Sequence, residues 1–400
     1  MPWKIKSELG ERWWLIRALL QGHKSVVQLC RQLGISRKTA YKWRKRFWGE
    51  GRRGLSDRSR APRRRPTQMA GIWRGRLERL RQKHPDWGAK KIWAVLRQRW
   101  GGRGLPCVRT FARWLERLGL VERQRRRPRR AGRRLHPALT VARRPNHVWT
   151  VDFKGWFRTA DGTRVEPLTV RDLFSRYGLC ARLLADQRWR HSQAVFTRVF
   201  LEQGLPEVIR VDNGGPFGSK GPAGLSRLSA WWVRLGIQVE FIAPGHPEQN
   251  GAHEQFHRVF KRETTRRVAR TRQGQQHKTS VWLKGYNTER PHEALGQRVP
   301  AQLHRKSRRC FPRVLPAVKY PGDGAVRQVR SNGEIKWGGR RRFIGEAFIG
   351  QPVGLKRLRP GKWAVYFCHL MIGHLHQADV GAMRPMAYRH RRRAQRKEKV

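Results

Sequence analysis

From Val148 onward the sequence changes from helical to strand-like patterning, and this change limits the folds open to the chain. Short apolar segments at 148–157 and 165–171 flank Asp161-Gly162, a dipeptide typical of tight hairpin turns. A third strand-like segment follows at 178–184, after which helical and strand-like segments alternate to about residue 270. Hairpin-linked strands followed by such alternation predict a mixed α/β sheet.

Three acidic residues in this stretch lie at the ends of predicted strands or near the start of a predicted helix. Asp152 and Asp212 each end a short β-rich segment, although aspartate is depleted in strands because it competes for backbone hydrogen bonds. Glu254 stands near the start of a long helical pattern, expected to run from residue 248 to about 270. Two strand-borne carboxylates and one helix-borne carboxylate would together offer the oxygen ligands that Mg²⁺ or Mn²⁺ prefers.

The charge composition points to a polyanionic partner. The 400 residues include 90 Lys and Arg against 27 Asp and Glu, a formal net charge of +63. So much like charge repels itself unless a polyanion neutralises it, and DNA or RNA is the commonest such partner. An anionic membrane surface is the alternative, but the basic segments lack an adjoining apolar span or amphipathic stripe.

The cysteines and the apolar segments of the sequence indicate the cellular compartment in which the protein is expected. The five cysteines are scattered without a C-x-x-C pair, so neither a disulfide framework nor a cysteine-based zinc site is expected. No apolar signal core opens the sequence, and no apolar run reaches the roughly 18 residues of a membrane span. We therefore expect an intracellular protein without a membrane partner or a small-molecule cofactor.

Residues 11–48 have the pattern of a helix-turn-helix. Ser25 and Ser36 are placed to cap two successive helices, and Gly34 supplies the turn between them. The second helix would lie in a DNA major groove, although a basic surface helix that packs only on its own domain is the alternative. Its residues predicted to face outward are Arg37, Lys38, Thr39 and Lys42, and those predicted to face the core are Ala40, Trp43 and Phe47.

Basic linkers separate further units along the chain. Residues 69–122 form a second helical pattern, either another helix-turn-helix or a structural three-helix bundle. Residues 325–385 read as short strands with turn dipeptides, which predicts a small β-barrel. The predicted organisation is a helix-turn-helix domain 1–50, a basic linker 51–68, a second helical domain 69–122, an Arg-rich linker 123–144, a mixed α/β core 145–306, a linker 307–324, a small β-barrel 325–385 and a basic tail 386–400.

Five motifs, in order, resemble those of insertion-sequence transposases of the DDE integrase-core superfamily, to which retroviral integrases belong. The resemblance implies a multidomain α+β protein whose residues 145–306 form a ribonuclease-H-like catalytic core. The motifs are W-T-V-D-F at 149–153, V-D-N-G-G-P-F at 211–217, G-L-S-R-L-S-A-W-W at 224–232, P-G-H-P-E-Q-N-G-A-H-E-Q-F-H at 244–257 and Y-N-T-E-R-P-H-E-A-L-G at 286–296.

The resemblance also implies a reaction and its partners. Asp152, Asp212 and Glu254 would hold two Mg²⁺ or Mn²⁺ ions, with Asp152 shared between them, for cleavage and joining of DNA strands. The implied partners are the terminal inverted repeats of the mobile element and double-stranded target DNA, handled by a homo-oligomer in the bacterial cytoplasm with the nucleoid. The alternatives are a catalytically idle DNA-binding repressor of transposition and a ribonuclease-H-like nuclease.

Two glutamates compete for the third carboxylate position. Glu248 lies 36 positions after Asp212, the usual spacing of the family, whereas Glu254 lies 42 positions after it. The resemblance places the glutamate after the N-G pair, which favours Glu254, and a glycine-rich insertion at 218–224 accounts for the extra residues. On a helix, Glu254, Arg258 and Lys261 would form one stripe that carries the metal ligand and two phosphate contacts.

The residues around these carboxylates are interpreted as supporting ones. Asn213 and the Asn250-Gly251 pair are expected to shape turns rather than to bind metal. No role for His292, in E-R-P-H, follows from the sequence. Three nearby histidines are interpreted as DNA-facing or surface residues rather than zinc ligands: His246, His253 and His257.

Overall fold

The computed structural model describes residues 8–59, 71–121, 139–318, 320 and 324–386. The predicted Arg-rich linker up to residue 138, the end of the basic linker after residue 59 and the basic tail after residue 386 lie outside this described part. The chain divides into two compact units, residues 1–69 and residues 70–400. None of the helices in the described ranges has the length and apolar character needed to cross a lipid bilayer.

The first unit is a three-helix bundle with the caps that the sequence predicted. Ser25 caps the second helix through a reciprocal capping box, and the Ser36 hydroxyl accepts from the backbone N–H of Thr39 to cap the third. Gly34 ends the second helix in the left-handed conformation, which glycine adopts without strain. The elements are α1 (Glu8–Gln21), α2 (Val26–Leu33), α3 (Arg37–Glu50) and a 3₁₀ turn (Gly51–Leu55).

Helix α3 divides into a buried face and a basic face. Ala40 and Trp43 are buried against apolar residues of α1 and α2, and Phe47 packs partly buried beside them. The Thr39 side chain is half-buried at the start of the helix, and its hydroxyl lies 2.9 Å from that of Ser36. Exposed on the opposite face, as helical spacing predicted, are Arg37, Lys38 and Lys42.

The second unit begins with three helices that are tied to the rest of the unit by charge. Lys83 pairs with Glu289 at 2.9 Å, and Lys90 pairs with Glu293 at 2.8 Å. Arg262 pairs with Asp86 at 2.9 Å. These ion pairs hold the helices against the E-R-P-H segment and the helix that carries Glu254. The three helices are α4 (Gly71–Lys83), α5 (Ala89–Trp100) and α6 (Val108–Arg117).

The central sheet has the mixed pairing that the sequence predicted, and a multidomain α+β architecture is confirmed. Its spatial order is β2-β3-β1-β5-β6, with β4 paired to β3. Strand β1 pairs antiparallel with β3 and parallel with β5, so it joins the two halves of the sheet. The strands are β1 (Val148–Phe153), β2 (Phe157–Arg158), β3 (Arg164–Asp172), β4 (Gly178–Leu184), β5 (Val208–Val211) and β6 (Gln238–Phe241).

The helix that carries Glu254 is shorter than predicted. Residues 247–250 form a 3₁₀ turn, and the α-helix then ends at Thr264 rather than near residue 270. Its buried face ends at Thr264, and the basic residues that follow offer no apolar stripe to continue it. The helices of this part are α7 (Trp189–Gln203), α8 (Arg227–Arg234), α9 (Gly251–Thr264), α10 (Arg272–Thr288) and α11 (Pro300–Leu303).

The C-terminal strands form two open sheets, so the predicted small β-barrel is not confirmed. Short strands and turn dipeptides are local features, whereas barrel closure requires a matched register around the whole sheet, which local patterns do not specify. One sheet contains β7 (Ala325–Gln328), β10 (Pro352–Arg359), β11 (Lys362–Phe367), β12 (Leu370–His376) and β14 (Arg384–Pro385); the other contains β8 (Glu334–Trp337), β9 (Arg340–Phe343) and β13 (Gly381–Ala382).

These sheets share one apolar core with the central sheet. Val353 and Phe367 belong to the same contiguous buried cluster as Trp149 and Val151 of β1. The glycine-rich segment 218–224 lies at the junction. Within it, the backbone N–H of Ala223 donates to the Met386 carbonyl at 2.9 Å. Nearby, Arg227 of α8 donates to the Glu346 carbonyl at 3.3 Å. The segment interpreted as an insertion thus anchors the loop after Asp212 to the C-terminal sheets.

Candidate active site

Asp152 lies near the end of β1, and Asp212 directly follows β5, the parallel neighbour of β1. The parallel register aligns Val148 with Val208 and Thr150 with Arg210, so its continuation sets Asp152 opposite Asp212. Burial raises the pKa of Asp152 to about 7, and the negative charges of Asp212 and Glu254 also raise it. Burial likewise raises the pKa of Asp212. The charges of Asp212 and Glu254 therefore reach Asp152 in the folded protein.

Glu254 and Glu248 occupy different structural settings. Glu254 lies exposed in the first turn of α9, where the helix dipole favours a negative charge. Glu248 lies in the preceding 3₁₀ turn, with its Oε1 3.0 Å from Nδ1 of His246. Arg258 and Lys261 are exposed on the same face of α9 as Glu254, in agreement with the predicted stripe.

The donor set suits a hard divalent cation. All three groups offer carboxylate oxygens, and the raised pKa of Asp152 reflects first its burial and then the nearby negative charges of Asp212 and Glu254. Binding of a cation would remove that repulsion. Among the described residues, no group of three His, Cys, Asp or Glu side chains already converges at metal-binding spacing. The carboxylates thus fit a divalent metal ion in their chemistry.

A buried hydrogen-bond network lies beneath the carboxylates. The Thr169 hydroxyl on β3 donates to the Asp152 carbonyl at 3.0 Å and lies 2.7 Å from Nε2 of both His253 and His257. Because a hydroxyl has one proton to give, both imidazoles must donate from Nε2. Nδ1 of His253 is then free to accept from the Thr150 hydroxyl, 2.7 Å away. The network joins α9 to β1 and β3.

His253 and His257 are therefore not surface residues, and that interpretation of the sequence is wrong. His253 is fully buried and His257 is nearly so. Burial lowers the pKa of His257 to about 3 and that of His253 well below its ordinary value, which keeps both rings neutral. The signal that could have found them is their spacing with Phe256 and Phe260, which places all four residues on one face of α9.

Loss of the Thr169 hydroxyl should loosen α9. We expect Thr169→Val to lower the free energy of unfolding by about 2–4 kcal/mol, because two buried imidazole donors and one carbonyl lose their partner. Thr169→Ser retains the hydroxyl and is expected to recover most of the loss. Chemical denaturation followed by tryptophan fluorescence measures both variants. Equal stability of the valine and serine variants would show that the network does not anchor the helix.

One of the two asparagines near the site ties two loops together, and the other is buried at the start of α9. Asn213 Nδ2 donates to the Ile242 carbonyl at 2.7 Å, which ties the loop after β5 to the end of β6. The Asp212 carboxylate accepts the backbone N–H of Gly214 at 3.3 Å. Asn250 is buried at the start of α9, and its Oδ1 has no hydrogen-bond partner within the described part of the chain.

The Y-N-T-E-R-P-H segment braces α9 from α10 and the loop that follows. Asn287 exchanges hydrogen bonds of 2.8 and 2.9 Å with the backbone of Gly178 on β4. Arg290, itself buried, forms an ion pair with the partly exposed Glu263 of α9. His292 packs edge to face on Tyr286, with ring centroids 4.8 Å apart, and burial lowers its pKa to about 3. His292 therefore has a packing role that the sequence did not reveal.

Models of known domain families match four parts of the chain. Two integrase core domain models match residues 142–247 and 235–300. A helix-turn-helix domain model matches residues 15–63. A model of the IS481 family transposase C-terminal domain matches residues 324–379.

Two relatives are encoded by insertion elements. The insertion element IS476 uncharacterized 39.2 kDa protein of Xanthomonas euvesicatoria is 28% identical over 242 residues, which is 60% of this chain and 66% of the relative. The insertion element IS407 uncharacterized 31.7 kDa protein of Burkholderia multivorans is 26% identical over 250 residues, 61% of this chain and 84% of the relative. The chain thus spans about two thirds of the length of the first relative.

Solved structures with partial likeness include two viral integrase assemblies. The HTLV-2 integrase catalytic core domain in complex with magnesium is 15% identical with a TM-score of 0.33, covering 41% of this chain and 100% of that one. A simian T-cell lymphotropic virus intasome in complex with PP2A regulatory subunit B56 gamma is 16% identical with a TM-score of 0.35, covering 72% and 91%. Both TM-scores are below 0.5, so these likenesses carry no weight for function.

Proposed function

We propose that this chain, which belongs to the insertion-sequence transposases of the DDE integrase superfamily, binds the terminal inverted repeats of its own element and cleaves and joins DNA strands at Asp152, Asp212 and Glu254. One observation carries the proposal: the register of the parallel strands β1 and β5 sets Asp152 opposite Asp212, and the charges of Asp212 and Glu254 add to burial in raising the pKa of Asp152. The integrase core matches to residues 142–300 support this reaction class.

The three carboxylates would hold two Mg²⁺ or Mn²⁺ ions, and the resemblance to the family implies that Asp152 serves both. Such ions, when bound, supply activation of the attacking oxygen and support for the leaving 3′ oxygen. Arg258 and Lys261, exposed beside Glu254, would hold phosphates of the strand that reacts. Thr169 and its two histidine partners keep Glu254 facing the aspartates by fixing α9 against the sheet.

The first unit would supply recognition of the element ends. Its α3 exposes Arg37, Lys38 and Lys42 on the side away from the bundle core, with Thr39 half-buried at its start, and these residues would meet DNA in a major groove. Target DNA would meet the basic surface of the second unit. Because two element ends must be joined to one target, we propose that a homo-oligomer assembles on DNA.

Recognition by α3 has a direct test. We expect Lys38→Gln combined with Lys42→Gln to weaken binding to inverted-repeat DNA by about tenfold or more and to make binding less dependent on salt, since two phosphate or base contacts are lost. Fluorescence anisotropy between about 50 and 200 mM salt measures both effects. Arg17→Gln combined with Lys24→Gln removes the same charge from exposed positions outside α3 and serves as the control. Equal losses in the two double variants would argue against α3.

A catalytically idle DNA-binding repressor is the second candidate function. It requires only DNA binding, which the helix-turn-helix match to residues 15–63 supports equally well. Joining of a labelled element end to plasmid DNA in the presence of Mg²⁺ separates the two candidates. A repressor binds the element end without joining it. A ribonuclease-H-like nuclease, the third possibility, would instead prefer an RNA–DNA hybrid in competition with duplex DNA.

A further inference from the structure

A cleft of about 610 Å³ between the two C-terminal sheets has a lining that the proposed DNA chemistry does not use. None of the described residues that line it is acidic, so its field is positive. A volume of this size accommodates one small molecule or one nucleotide. The aromatic and basic residues of the lining include Trp337, Trp363, Arg327, Lys336, Arg340 and Arg342.

The two tryptophans offer flat surfaces inside this cleft. Trp337 of β8 and Trp363 of β11 meet edge to face, with ring centroids 5.6 Å apart and an angle of 80° between the rings. Both side chains are half-buried. The Arg327 guanidinium lies over the Trp337 ring, 5.3 Å from its centroid. In an edge-to-face pair, the two rings do not cover all of each other's faces. The uncovered aromatic faces can stack on nucleobases.

Arg342 supplies a second, independent indication of a ligand. It lines the cleft and is only 3% exposed. Its terminal nitrogens donate to the carbonyls of Asp379 and Gln377, whereas its Nε is buried and has no hydrogen-bond partner among the described residues. A buried cationic donor without an acceptor is unfavourable unless a ligand completes it, and an anionic oxygen is its best acceptor.

We propose that this cleft binds one unpaired DNA nucleotide, with its base stacked on Trp337 or Trp363 and its phosphate held by Arg342 and the basic side chains at the rim. A base inside a duplex is covered on both faces by its neighbours, so it cannot reach a recessed ring. The Gly338-Gly339 turn at the rim is open, because a Cβ added to either glycine would meet nothing within 4 Å. The DNA backbone can therefore approach the rim closely.

The fold fixes this cleft relative to the carboxylate site. Strand β9, which carries Arg340 and Arg342, leads into the turn at Glu346 whose carbonyl accepts from Arg227 of α8. That contact belongs to the junction that anchors the loop after Asp212. The inference rests on the proposed function for the source of the nucleotide, since a cleaved strand end frays and frees a base. Binding itself requires no cleavage.

Full-length protein and a hairpin DNA test the inference. The DNA ends in a 2-aminopurine nucleotide that is either unpaired or paired. We expect about fivefold or tighter binding of the unpaired form, with quenched 2-aminopurine fluorescence. Trp337→Leu should remove most of this preference and Trp337→Phe should retain most of it, because phenylalanine keeps a ring for stacking. Arg340→Gln should weaken binding of the unpaired form more than Arg357→Gln does, since Arg357 is exposed on β10 and does not line the cleft.

The outcomes separate cleanly. Equal affinity of the wild-type protein for paired and unpaired ends would overturn the inference, as would an undiminished preference in Trp337→Leu. Arg340 is an exposed residue, so its variant keeps the test decisive even where the leucine variant has a lowered Tm. DNA joining is not measured, so a protein that binds unpaired ends but joins no strands would refute the proposed function and leave this inference standing.

Discussion

Asp152→Asn should abolish strand joining, with a fall of about 10³-fold or more in rate, while binding of element-end DNA changes by less than about twofold. Asparagine keeps the shape of the side chain but removes the negative charge on which the charges of Asp212 and Glu254 act. Because like charges are thereby relieved, the folded protein should be no less stable, and the free energy of unfolding should stay equal or rise by up to about 1 kcal/mol.

The measurement is joining of a labelled element end to plasmid DNA, run beside binding and chemical denaturation of the same preparations. Asp186→Asn is the matched control, since Asp186 lies outside the carboxylate site and pairs with His191. Chelation of divalent ions should silence the parent protein to the level of the Asp152 variant. Joining that persists in Asp152→Asn at the parent rate would refute the proposed site, and joining absent from both proteins would leave the repressor.

Glu254→Gln should also reduce joining by about 10²-fold or more, whereas Glu248→Gln should leave it within about threefold. Both substitutions remove one negative charge from exposed glutamates that lie six positions apart, so they are closely matched. Only Glu254 lies in the first turn of α9, and it is among the groups that raise the pKa of Asp152. Glu248 instead has His246 as a neighbour in the 3₁₀ turn.

Single-turnover joining at saturating DNA measures this pair, so that a weaker affinity is not mistaken for slower chemistry. The opposite ranking, with Glu248→Gln inactive and Glu254→Gln active, would identify Glu248 as the third carboxylate, at the usual family spacing from Asp212. Residues 218–224 would then no longer need to be interpreted as an insertion. Similar losses in both variants would indicate that charge at the start of α9 matters, without a specific ligand role for either glutamate.

Short-range features of the sequence carried much of the organisation. The caps at Ser25 and Ser36, the apolar face of α3 and the strands that end at Asp152 and Asp212 were predictable, because each depends on residues a few positions apart. The integrase-core resemblance was predictable as well, since its motifs are local and ordered. The choice of Glu254 needed that resemblance, because spacing alone favoured Glu248.

Tertiary structure decided what depends on distant partners. His253 and His257 were interpreted as surface residues from the sequence, whereas in the structure both are buried, with hydrogen-bond partners at Thr169 and, for His253, at Thr150 on two strands. Turn dipeptides could not predict whether the C-terminal strands close into a barrel or form open sheets. That outcome depends on how whole sheets pair and on the apolar core that they share with β1. Local sequence patterns determine which helices and strands form and which residues stand at their ends. The burial of a side chain and the pairing of strands depend on elements that are distant in the sequence and meet only in the folded chain.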